Sequence, residues 1–180
     1  MKKYLITGGS GFIGSYLCEN LLAEGSKVII LDDLSTGKIE NLDNVINNPN
    51  LEFVEGSVND EKLVYYMVSQ CDAVYHLAAA VGVKLVVDNP TGTIVTNILG
   101  THYVLAACAR KKTRLLMAST SEVYGKCDNY PFKENMDIVL GPTIKARWCY
   151  ACSKAIDEFL ALAYYKSDSL PVTIFRLFNT

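Results

Sequence analysis

The chain has 180 residues, half of them hydrophobic and a fifth charged, which suits a single domain with a substantial core and excludes a disordered protein. Its formal net charge is -2 and no block of Lys or Arg stands out, so nucleic acid and anionic membrane surfaces are not expected partners. A strand begins within a few residues of Met1, leaving no room for a cleavable leader, and no apolar run approaches ~20 residues, so the chain reads as cytoplasmic.

Lys3 to Thr7 (KYLIT) is a short β-rich run, followed directly by Gly8-Gly9-Ser10-Gly11-Phe12-Ile13-Gly14. The apolar period from Phe12 to Ala23 predicts a helix, with Gly25 as its stop. Lys27 to Leu31 predicts a second strand ending on Asp32-Asp33, and Leu51 to Glu55 a third. Asp60 to Gln70 has helical spacing with Asp60 as N-cap, and Ala73 to Leu77 predicts a fourth strand. Asn97 to Ala109 reads as an apolar helix, and Arg114 to Ala118 as a buried strand running into Ser119-Thr120-Ser121. Gly125 to Arg147, with Pro131, Gly141 and Pro142, reads as loop. A helix carrying Tyr150 and Lys154 extends to about Tyr165, and Pro171 to Leu177 closes the series as a sixth strand. Strands alternating with helices at this spacing predict an α/β fold, a doubly wound parallel sheet of Rossmann type with helices on both faces.

The glycine loop is the most specific local signal. It satisfies G-x-G-x-x-G through Gly9, Gly11 and Gly14, and the looser pattern Gly8, Gly11, Gly14. It lies between a strand and a helix, and Asp32 closes the next strand about twenty positions on, the context the motif requires. Residues without Cβ let the backbone approach a pyrophosphate, and the helix N-terminus beyond offers free N–H groups and partial positive charge. Asp32 then accepts from the adenosine ribose hydroxyls. A 2'-phosphate there faces a carboxylate with no arginine nearby, which favours NAD over NADP; Lys38 is the neighbouring cation that would instead suit that phosphate.

Tyr150-Ala151-Cys152-Ser153-Lys154 places a phenol and an ammonium four positions apart, on one helix face. A cation beside a phenol lowers a pKa that is ordinarily near 10, so the pair suits a proton acceptor; the spacing alone equally suits a solvated helix face. Thr120 and Ser121 at a strand end suit either catalysis or satisfaction of backbone groups. The six cysteines, scattered through helices, suit reduced thiols; Cys149-x-x-Cys152 straddles Tyr150 with no second such pair, against a zinc or redox role. His76, within an apolar strand, reads as a satisfied core histidine.

TGGSGFIG, LDDLSTG, VYHLAA, ASTSEVYG, Tyr150-x-x-x-Lys154 and FRLFN, in this order, make the chain resemble the extended short-chain dehydrogenases/reductases that act on nucleotide sugars. The resemblance covers the whole chain as an N-terminal NAD-binding domain, 1–180, and implies that a C-terminal substrate domain is absent from it. It implies Tyr150 as catalytic base, Lys154 as its partner and a contact of the nicotinamide ribose, and Thr120 on the sugar's 4-hydroxyl. Gly8, Gly11, Phe12, Ile13 and Gly14 would hold the pyrophosphate, and Asp32, Asp33 and Ser35 the adenosine. Leu77, Ala78 and Ala79 would lie along the cofactor with Asn97 beneath, Phe178 near the nicotinamide amide and Asn179 on the substrate phosphates. Ser57-Val58 stands where many members read adenine with an aspartate before an apolar residue, and Ala80-Val81-Gly82-Val83 lacks a lysine that some epimerases place there.

The resemblance implies oxidation at sugar carbon 4, with a UDP-sugar 4-epimerase as the first expectation and a UDP-glucuronate decarboxylase as the alternative. Glu122 would serve the decarboxylase pattern or a 4,6-dehydratase; the latter ranks third because Ser121 stands where dehydratases have an aspartate. An NAD-binding module without turnover is the reading from another class. The resemblance also implies a homodimer formed through the helix of Asn97 to Ala109 and the one bearing Tyr150.

Overall fold

The computed structural model describes residues 1–128 and 130–178, with 83–85 described by their backbone alone. Six strands, β1 (Lys3–Thr7), β2 (Lys27–Asp32), β3 (Leu51–Glu55), β4 (Ala73–His76), β5 (Arg114–Thr120) and β6 (Val172–Leu177), form one sheet in the order β3-β2-β1-β4-β5-β6. Every neighbouring pair is parallel. The connecting helices are α1 (Phe12–Ala23), α2 (Glu61–Ser69), α3 (Val83–Asp88), α4 (Pro90–Lys111) and α5 (Trp148–Asp168). The doubly wound Rossmann-type sheet expected from the alternation is therefore present.

The two faces of the sheet follow from the two-residue period of its strands. Leu5, Ile29, Leu31 and Val74 point to the side covered by α2, α4 and α5, where they meet Val64, Met67, Val104, Leu105 and Ala161. Ile6, Val28 and Ile30 point the other way, onto Cys18, Leu21 and Leu22 of α1. Each such aliphatic side chain, withdrawn fully from water, contributes on the order of 2 kcal/mol against the entropy of ordering the chain.

Local signals set several boundaries as expected. Asp60 caps α2, its side chain accepting from Leu63 N at 3.0 Å. By contrast α4 begins at Pro90, well before the expected Asn97. Asn89 caps it by accepting from Gly92 N at 3.0 Å, and Pro90 at the first position has no N–H to leave unpaired. Gly92 and the β-branched Thr91, Thr93, Ile94 and Val95 weaken the helical signal there. Packing of Thr93 and Asn97, both buried, overrides that weakness. At 22 residues α4 is, by length and composition, long and apolar enough to cross a membrane, which corrects the expectation that no such run exists; half of that stretch is buried inside the protein. The helix α3 falls between the expected fourth strand and Asn97, where the sequence pattern predicts no element.

The strand order reverses between β1 and β4. From β1 the chain winds outward through α1 to β2 and β3, and then returns through α2 to β4 on the opposite side of β1. The carboxyl ends of β1 and β4 consequently feed connections that part in opposite directions and leave a crevice between them.

Candidate active site

Gly8 leaves β1 with φ +72°, a left-handed conformation that glycine adopts without steric penalty. A Cβ there would lie 2.7 Å from Ala78 N, just past β4, and a Cβ on Gly14 would run into the Gly8 carbonyl oxygen. The backbone therefore folds more tightly than any side chain allows. Gly11 is the N-cap of α1, with no side-chain cap and no acid in the first turn. Among the described residues the amides of that turn have no side-chain partner, and they carry the positive end of the helix to the crevice.

At the end of β2 both oxygens of Asp32 are held by backbone donors, Oδ2 by Ser10 N and Oδ1 by Leu34 N, each at 2.9 Å. The carboxylate is thus aimed before any ligand arrives, and each oxygen keeps a further lone pair. Asp33 accepts from Ser35 N at 3.0 Å in the same turn.

The crevice is a cavity of about 830 Å³. Gly8, Gly11, Phe12, Ile13, Gly14, Asp32, Asp33 and Ser35 line one end, Leu77, Ala78 and Ala79 the middle, and Thr120, Tyr150, Lys154 and Phe178 the other end. Val58 also reaches it, whereas Ser57 does not and instead accepts through Oγ from Asn59 N at 3.3 Å. Asn179 lies outside the described residues.

Besides Ser57, two residues expected at this site stand apart from its lining. Glu122 is exposed, on the short 3-10 turn Ser121–Tyr124 that follows β5. Asn97 is buried behind the wall: its Oδ1 accepts from Ala80 N at 2.8 Å and its Nδ2 donates to Ser153 Oγ at 3.0 Å. With its polar atoms engaged, Asn97 joins the loop after β4 to α5 one residue before Lys154. The cavity also takes in Thr36 and Gly37 after β2, and Gly92, Thr93 and Thr96 on the first turns of α4. The latter three lie ahead of Asn97, where the expected helix begins; Asn89-Pro90, a cap followed by proline, is the signal that finds them.

Tyr150 and Lys154 share the face of α5 turned to the cavity, but the expected charge coupling between them takes a different form. Lys154 Nζ lies 2.8 Å from Asp157 Oδ2, with both side chains almost wholly buried. Burial pushes the Tyr150 phenol up to about 12, and the charges of Glu122 and Asp157 act in the same direction; hydrogen bonding with Thr120 opposes them. The lowering expected from Lys154 is therefore overturned here, because desolvation dominates and the ammonium has a carboxylate at its side.

Below the cavity, His76 is the satisfied core histidine expected: Nδ1 lies 2.7 Å from Thr7 Oγ1 and Nε2 3.1 Å from Thr101 Oγ1. Burial, helped by the positive charge of Lys154, lowers its pKa to about 3. The third turn of α5 is fixed by Glu158, which takes Nε and Nη2 of Arg176 on β6 at 2.9 and 2.7 Å and the hydroxyl of Ser119 on β5 at 2.5 Å. Arg147 and Trp148 pack together at the start of α5, the guanidinium 5.1 Å from the indole centroid.

A six-stranded parallel sheet in this order, with a glycine turn at the strand reversal and a Tyr-x-x-x-Lys helix across the cleft, defines a Rossmann-type domain of the short-chain dehydrogenase/reductase kind. Residues 5–180 match the family model described as GDP-mannose 4,6 dehydratase, and the chain belongs to that family. It is 42% identical over 178 residues to the UDP-N-acetyl-alpha-D-glucosaminuronate decarboxylase of Bacillus cytotoxicus, covering 99% of this chain and 54% of that protein. Among solved structures, the UDP-N-acetylglucosamine 4-epimerase of Methanobrevibacter ruminantium superposes with a TM-score of 0.88 at 32% identity, over 97% of this chain and 54% of that one. The dTDP-glucose 4,6-dehydratase DesIV of Streptomyces venezuelae, solved with NAD and TYD bound, also gives 0.88, at 33% identity over 97% and 55%. The chain thus spans about half the length of these relatives.

Proposed function

We propose that the whole protein is an NAD-dependent nucleotide-sugar enzyme that oxidises its substrate at carbon 4, with 4-epimerisation as its reaction. The observation that carries this reading is one cavity holding the glycine cradle, Asp32, Thr120, Tyr150 and Lys154. The cradle fits a dinucleotide on its own evidence: a Cβ at Gly8 or Gly14 would fill the space, and the first turn of α1 keeps its amides for an anion. NAD would rest its pyrophosphate on Gly8, Gly11, Phe12, Ile13 and Gly14 and its adenosine ribose on Asp32, with Asp33 and Ser35 beside it. Bound there, it would supply the acceptor for the hydrogen leaving carbon 4.

Tyr150 takes the proton of the sugar's 4-hydroxyl, and Thr120, whose hydroxyl faces the phenol, aligns that hydroxyl. Lys154 lies one helical turn away at the ribose end of the cavity. Phe178, half exposed at the rim, is placed to cover the nicotinamide. Reduction of the 4-keto sugar from its opposite face needs no further side chain, and Glu122 stands outside the cavity lining, which favours epimerisation.

The similarity to a uronate decarboxylase supports a second reading, in which a carboxylate on carbon 5 makes the oxidised sugar a β-keto acid that loses carbon dioxide. We read the protein as cytoplasmic, in keeping with its six free thiols, and as a homodimer. Ile156 and Phe159 on α5 and Val95 and Leu99 on α4 are exposed apolar side chains on two helices packed together, an apolar surface suited to a second copy.

The whole protein with NAD and, separately, UDP-glucuronate and UDP-glucose decides among these by product mass. Unchanged mass with a new sugar after hydrolysis supports epimerisation, and a product lighter by carbon dioxide supports decarboxylation. Tyr150→Phe should reduce turnover by roughly 10²–10⁴-fold with NAD binding retained; unchanged turnover removes Tyr150 as base.

A further inference from the structure

The Lys154–Asp157 pair is more deeply buried than the chemistry read for Lys154 requires. Its ammonium and the Asp157 carboxylate are 3% and 0% exposed and 2.8 Å apart. Among the described residues, Asp157 Oδ1 has no hydrogen-bond partner. Thr101 of α4 lies close enough to favour the ionised carboxylate, while burial and the neighbouring charge of Glu158 push Asp157 toward protonation.

The surroundings of the three groups can be stated element by element. Tyr150 meets Glu122 and Thr120 at the end of β5, and Asp157 on its own helix. Lys154 meets Asp157 on α5 and, from β4, His76, which is neutral near pH 7. Asp157 meets Lys154 and Glu158 on α5 and Thr101 from α4. Among the described residues, then, the negative charges acting on Tyr150 are Glu122, which is exposed and screened by water, and Asp157, which is not.

We propose that Asp157 is a positioning residue for the reaction, holding the Lys154 ammonium at the floor of the cavity and offsetting its charge so that the Tyr150 phenol stays protonated until more positive charge enters. The carboxylate sits one turn beyond the lysine on the same helix, and both side chains are almost wholly buried, with Lys154 at the cavity wall. An ion pair in a low-dielectric site acts on a third group as a dipole, much weaker than the bare ammonium at the same distance. Burial is the main cause of the raised Tyr150 value, and the charge of Asp157 adds to it in the same direction.

The catalytic meaning of this proposal rests on Tyr150 being the base; the coupling among Tyr150, Lys154 and Asp157 does not. The chain labelled with ¹³C at tyrosine Cζ, with Tyr150 assigned through Tyr150→Phe, reports the phenol titration directly. In Asp157→Asn the Tyr150 midpoint should fall by roughly one unit, and in Asp157→Glu it should stay near that of the unaltered chain. A midpoint that is unchanged or higher in a folded Asp157→Asn chain overturns the proposal.

Should Asp157→Asn lose its fold, the unaltered chain decides. The ¹⁵Nζ signal of Lys154 should persist near pH 7, protected from solvent exchange, and a rapidly exchanging Nζ overturns the proposal. Normal turnover by Tyr150→Phe in the whole protein would remove the base assignment and leave both of these readouts standing.

Discussion

The imidazole Nδ1 of His76 lies 2.7 Å from the hydroxyl of Thr7, joining β4 to β1 at the strand reversal where the cavity opens. The same hydroxyl accepts from Ala78 N at 3.2 Å, and the other ring nitrogen lies 3.1 Å from the Thr101 hydroxyl on α4. The backbone between Gly8 and Ala78, where a Cβ finds no room, is held from below by a neutral histidine.

Acid stability follows from that contact. The folded pKa of His76, lowered to about 3, lies below the ordinary 6.5, so the unfolded chain binds more protons between these values. This contribution is fully present above 6.5 and is lost as pH falls toward 3. It amounts to on the order of 3 kcal/mol by pH 4. Urea unfolding at pH 7 and pH 4 should show the loss in the unaltered chain and a flatter dependence in His76→Gln. Equal slopes in the two chains would remove His76 as the cause.

Gly14→Ala tests the cradle. Its new methyl meets the Gly8 carbonyl and Gly9 Cα, backbone atoms that cannot rotate aside. The loop must shift, with a stability loss of roughly 1–3 kcal/mol and a fall in NAD affinity measured by calorimetry. Gly25→Ala is the control: its Cβ meets nothing within 4 Å, although φ +78° strains the backbone, so stability should fall with NAD affinity kept.

Phe159→Glu probes the apolar surface of α4 and α5. The phenylalanine is 67% exposed, so a charge in its place leaves the core of the protomer untouched. Sedimentation of the whole protein should show a dimer turning into a monomer with unchanged helical content. A dimer that survives the substitution places the contact elsewhere.

Much of this architecture was legible in local patterns. The strand LEFVE, the helix from Phe12 to Ala23 and the cap at Asp60 occupy the residues expected of them. Their signals, period, turn chemistry and capping, act over a few residues. The first turns of α4 were not legible, because helix propensity is weak from Thr91 to Val95 and burial on the sheet decides the matter. Cavity positions Thr93 and Thr96 were lost with them.

What the sequence by itself determined is the parallel α/β sheet, the glycine turn beneath α1, Asp32 at the end of β2, and a tyrosine and lysine on one helical face. Each is set by spacing along the chain, which fixes local geometry and the side to which a residue points. Only the tertiary structure decided how charge is distributed around those residues. Asp157 is one more acid on a helix until α4 and the sheet close over it and remove the water that would screen it, making it the partner of Lys154. Asn97 likewise becomes a brace between the loop after β4 and α5 because the fold brings Ala80 and Ser153 to its two polar atoms.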